Sequence, residues 1–103
     1  MDQLERITYM EKILDEASEA VSALTAALER YNSMLGKLQE LDAYYTGRDW
    51  RQDFDDDSAG KLPVGLKRGV LSEDAVYDLL EQNAQLMRTL RSTALSQKAE
   101  ETE

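Results

Sequence analysis

The side chains of this sequence with the spacing to do chemistry are carboxylates. The run Asp53-Phe54-Asp55-Asp56-Asp57-Ser58 puts aspartate at the first, third and fifth places of a potential calcium loop, as such loops begin. The pattern then fails. Its sixth place is Ser58, where glycine makes the turn, and its twelfth is Val64, where a bidentate glutamate should close the site. The run reads instead as a solvated acidic edge near Lys61, Lys67 and Arg68. A second pattern, Glu16-x-x-Glu19 with Asp78-x-x-Glu81, has the spacing with which helical bundles hold magnesium for nucleotide hydrolysis without His or Cys. Counted from Ile7 as heptad position a, Glu16 and Glu19 fall at the outward c and f positions. Asp78 and Glu81 do the same on their own helix, so the two pairs face away from each other. The chain has no histidine and no cysteine, which removes Ser-His-Asp and Cys-His nucleophiles, His- or thiolate-bound zinc and the Glu-x-x-His di-iron bundle. No catalytic residue, metal ligand or cofactor is assigned.

Three further groups could bind rather than react. Tyr44, Tyr45, Trp50 and Phe54 form either a plug that closes the end of a helical hairpin, since a small core needs large side chains there, or a patch for a partner. Lys67-Arg68 could grip an anion beside the start of the following helix, with pairing to Asp55 to Asp57 as the plainer alternative. Asn83 sits at a core-phased position, where a polar residue usually fixes register or caps backbone groups.

The elements that would position these groups are helices. From Leu4 to Tyr45 apolar residues return every three or four places with no proline: a positions Ile7, Leu14, Val21, Leu28 and Leu35, d positions Met10, Ala17, Leu24, Tyr31, Leu38 and Tyr45. Position g is also mostly apolar (Ile13, Ala20, Ala27, Met34, Leu41), a stripe wider than a two-stranded seam and suited to a bundle. Asp2 can cap the first turn, with Glu5 in the capping-box place. The unbroken phase favours one helix over 3–45, roughly 60 Å long, against a helix that ends at Gly36 with a glycine cap.

From Thr46 to Leu71 come four of the five glycines, the one proline, and the only Trp and Phe. A short helix over 49–58 would put Trp50 and Phe54 on one side and stop at Gly60. Pro63, Gly65 and Gly69 then mark an irregular connector that must fold back to bury Leu62, Val64, Leu66 and Val70. Ser72 caps a second long helix over 73–97, with Leu71 and Val76 as a hydrophobic staple, and 99–103 is expected to fray. The whole is an all-α chain, one domain over 1–98, with its two long helices as an antiparallel hairpin.

Composition narrows the function further. A hydrophobic fraction of 42% arranged periodically describes a globular chain rather than a disordered one. The net charge of −9 opposes direct nucleic-acid binding and adhesion to an anionic membrane. No apolar run approaches the ~18 residues of a membrane span, and the N-terminus lacks the order of a signal peptide. The expected compartment is the cytoplasm.

Tyr44-Tyr45, Trp50-Arg51-x-Asp53-Phe54, Gly60-x-Leu62-Pro63 and Leu66-Lys67-Arg68-Gly69-Val70-Leu71-Ser72-Glu73-Asp74-x-Val76-Tyr77 together resemble the small bacterial proteins grouped as domain of unknown function 4298. Glu5-Arg6-Ile7 and Met10-Glu11-x-Ile13-Leu14 resemble them too, so the likeness covers about residues 2–90. The resemblance implies an all-helical, single-domain bacterial protein and brings no activity, hence no catalytic residue.

Length sets the last expectation. A second helix of about 25 residues spans roughly 38 Å, so it covers the first only down to about residue 18 to 20. Leu4, Ile7, Met10, Ile13 and Leu14 are left without a partner in the chain, and exposed stripes of that size mark interfaces. A non-enzymatic interaction or adaptor protein follows, most simply a homodimer forming a helical bundle, or one that receives a partner's helix. An acidic inhibitor that imitates nucleic acid in a basic groove is the alternative, and a magnesium-dependent nucleotide hydrolase the third reading.

Overall fold

The computed structural model describes residues 1–101, with side chains through residue 100. It is all-α: α1 Gln3–Ser33, α2 Leu35–Tyr45, α3 Arg48–Ser58, a 3-10 turn Gly69–Leu71 and α4 Ala75–Glu101, with no strand among the described residues. The chain forms two compact units, Met1–Leu38 and Gln39–Glu103.

In the first unit α1 begins as its sequence dictates. Asp2 stays extended and its Oδ1 accepts the Glu5 amide at 2.8 Å, satisfying one of the donors a helix start leaves free. The single helix over 3–45 is a correction: the ladder breaks at Met34, not at Gly36. There the Ser33 hydroxyl donates to the Arg30 carbonyl at 2.7 Å, the acceptor that the Met34 amide would otherwise take. The Met34 amide turns to Tyr31 instead, at 2.9 Å, tightening the last turn of α1 before α2 resumes. Gly36 lies inside α2 with nothing within 4 Å of where a Cβ would stand.

The second unit is built from tight corners. Between α2 and α3 the chain turns in two residues, Thr46 and Gly47, and a Cβ on Gly47 would lie 2.9 Å from the Ala43 carbonyl oxygen, so glycine is required there for close approach. α3 ends in a Schellman motif: Gly60 has a φ of +72°, its amide donates to Asp57 at 3.0 Å, and the Lys61 amide donates to Asp56 at 3.0 Å. Against the expected 49–58, α3 starts one residue earlier, at Arg48.

α4 departs from 73–97 at both ends. The Ser72 hydroxyl does accept the Asp74 and Ala75 amides, each at 3.3 Å, but helical geometry starts only at Ala75. At the other end helical geometry runs through Glu101, past the expected 97, and Thr102 and Glu103 lie outside the described residues. The core of this unit is small: Trp50, Leu71 and Val76 are buried, from α3, the 3-10 turn and α4.

Candidate interaction surfaces

The aromatic corner is assembled by spacing within α3 and by the return of the chain from the connector. Trp50 and Phe54, four residues apart, share a face of α3 and stack with ring centres 5.1 Å apart. Tyr45 from the end of α2 meets the Trp50 ring edge-on, also at 5.1 Å. Each polar tip is satisfied by backbone from across the unit: the Trp50 indole N–H donates to the Val70 carbonyl at 2.8 Å and the Tyr45 hydroxyl to the Glu73 carbonyl at 3.0 Å. The Tyr45 bond ties the segment just before α4 to the end of α2, and the Trp50 bond ties the 3-10 turn to α3. Tyr44 stands apart from the stack and donates to the Asp53 carboxylate at 2.6 Å. Burial first, then that hydrogen bond and the negative charges of Asp53 and Asp49, push its phenol up to about 12.

The acidic run does not converge. Successive residues of a helix point about 100° apart, so the four aspartates fan out to separate partners. Asp53 accepts from Tyr44, Asp55 lies 3.8 Å from Arg51, Asp56 accepts from Gln52 at 3.0 Å and lies 4.0 Å from Lys61, and Asp57 pairs with Arg68. Among the described residues no three acidic side chains gather to hold a metal ion. Glu16 is exposed beside Lys12 at 3.9 Å, a surface pair of little energetic weight.

Arg68 does more than sequence reasoning assigned to it. Of the two readings of Lys67-Arg68, the structure has Arg68 paired with an aspartate of α3, Asp57. The same guanidinium also donates to the carbonyls of Pro63, Val64 and Leu66, holding the connector in shape. The signal available in sequence was indirect: a proline- and glycine-bearing turn leaves carbonyls without ladder partners, and a five-donor fork nearby can gather them. The connector's apolar residues divide. Leu71 is buried and Leu62 half-buried, whereas Val64 is 98% exposed and Leu66 and Val70 are also exposed, a correction to the expectation that all would be covered.

A family model matches residues 7–92, a range that takes in this corner and most of α1. The chain belongs to the family described as domain of unknown function (DUF4298). No curated protein and no solved structure matches it. The DUF4298 description names no activity, so the surfaces have to be weighed on their own chemistry.

The other surface of this DUF4298 chain is the face of α1. No α1 residue is buried, and only Tyr31 is half-buried. Leu4 is 76% exposed, Ile7 50%, Met10 55%, Ile13 41% and Leu14 58%, and the exposure continues through Val21, Leu24 and Leu28. The uncovered stripe therefore runs further than the residues 4–14 that helix lengths alone singled out. No helix among the described residues is long and apolar enough to cross a membrane.

Proposed function

We propose that this protein is a non-enzymatic helical interaction protein of the cytoplasm that docks through the apolar face of α1. The observation that carries this reading is a helix of 31 residues with a regular heptad stripe and no buried residue. Such a helix is marginal in water by itself, because helices draw most of their stability from packing an apolar face, and large exposed apolar patches mark interfaces. The corner of Tyr45, Trp50 and Phe54 supports the same reading by contrast, since its polar tips are spent on its own backbone.

The test is co-purification of the intact protein with what it binds, its own copies included, at low and at high salt, alongside Leu14→Asp. An apolar dock holds its complex at high salt and loses affinity by roughly 100-fold in the variant, the loss of a buried leucine on each contact. Binding that vanishes at high salt and ignores Leu14→Asp would instead favour an acidic imitation of nucleic acid.

A further inference from the structure

The α1 face carries a pattern that says what covers it. Read with Ile7 at position a, its two flanks differ: the g side is apolar, with Ile13, Ala20, Ala27 and Met34, and the e side is polar, with Glu11, Ser18, Thr25 and Asn32. In a parallel pair of helices each g flank faces an e flank, which would set apolar against polar all along the seam. In an antiparallel pair related by a two-fold axis, g faces g and e faces e, so apolar meets apolar and polar meets polar. Only Glu11 among those eight flank positions is charged, so little repulsion opposes self-association in a chain of net charge −9.

The charge along the helix points the same way. In the register that sets Met10 opposite Leu35, residues 7–19, with four acids and one base (−3), lie against residues 26–38, with one acid and two bases (+1). A parallel pair would lay −3 on −3; the antiparallel pair lays each −3 stretch on a +1 stretch. The a and d positions then meet in matched layers: Met10 opposite Leu35, Leu14 opposite Tyr31, and Val21 opposite Leu24 beside the two-fold axis. Met10, Leu14, Val21, Leu24 and Leu35 are all exposed in the single chain and available for these layers.

We infer that the occupant of the α1 face is a second copy of this chain, bound antiparallel with Met10 of each copy against Leu35 of the other. The inference rests on the docking reading above and names its partner and orientation.

The chain has no native cysteine, so introduced ones report without background. Full-length Met10→Cys and Leu35→Cys variants are purified separately, mixed, allowed to exchange and mildly oxidised, and the unmodified protein is weighed by light scattering. The expected result is twice the 11.7 kDa chain mass, with disulfide-linked dimers at least 10-fold more abundant in the mixture than in either variant alone. In the antiparallel register like positions lie roughly 37 Å apart along the axis, far beyond disulfide reach. Ready cross-linking of Met10→Cys with itself would overturn the orientation, and a single-chain mass would overturn the self-partner. In that last case, a complex with another protein that Leu14→Asp still weakens would leave the docking reading standing and only this inference lost.

Discussion

Two regions of this protein use apolar residues in opposite ways. α1 has the longer and more regular stripe, yet buries none of it; the corner from Tyr45 to Val76 has a short and irregular set, yet supplies the three residues buried among those described, Trp50, Leu71 and Val76. The difference lies in what surrounds the residues rather than in their type. At the corner, a two-residue turn, a Schellman stop and a 3-10 turn bring segments of the chain back within reach of one indole ring. Along a single straight helix no residue can cover another's outer surface, however good the period. A stripe is therefore a request for a partner, and only chain reversal or a second molecule can answer it.

The sharpest way to break this contrast is Trp50→Ala. Loss of a buried aromatic costs about 3–5 kcal/mol, and here the ring also carries the bond to Val70. Amide hydrogen exchange should show α3 and the start of α4 losing protection while α1 keeps its own pattern. Equal loss along α1 would mean that the two regions form one cooperative unit. Arg68→Lys comes next, at about 2 kcal/mol, because an ammonium cannot reproduce a fork that holds Asp57 and three carbonyls. Its expected signature is faster exchange and proteolysis confined to residues 61–68, and a silent variant would show that Arg68 does not organise the connector.

Tyr44→Phe is the smallest, about 1 kcal/mol at neutral pH, and it has a sign that can be checked. The phenol titrates near about 12 in the folded chain and near ~10 when unfolded. Below pH ~10 both states hold the proton, and the contribution of the Tyr44–Asp53 bond is fully present. As pH rises from there through the folded value only the folded chain still holds it, so this contribution is lost progressively. Denaturant midpoints measured from pH 8 upward should fall less steeply in Tyr44→Phe than in the unmodified protein. Parallel slopes would remove the Tyr44–Asp53 pair from the account.

Much of the local architecture was legible because it depends on neighbours three or four places away. Asp2 as a cap, Gly60 as a stop and the Trp50 and Phe54 pairing on α3 all follow from such short-range rules. The break at Met34 was not legible, since the heptad phase passes through it unchanged. The start of α4 was misplaced because Ser72 caps through its side chain three residues before helical geometry begins at Ala75. Of the candidate sites, helix lengths singled out residues 4–14 of α1, whereas exposed apolar residues of the stripe extend to Leu35.

By itself the sequence determined that this protein is helical, that Asp2 caps its first helix and Gly60 stops α3, and that His and Cys chemistry is closed to it, because side-chain type, period and the lack of His and Cys are properties of the chain alone. Only the tertiary structure decided that Leu71 and Val76 are covered while Val64 is open, and that Arg68 rather than Lys67 is the residue shown gathering the connector. Burial and donor sharing depend on which distant segments meet, and the free energy of those meetings is not written in any local window of residues.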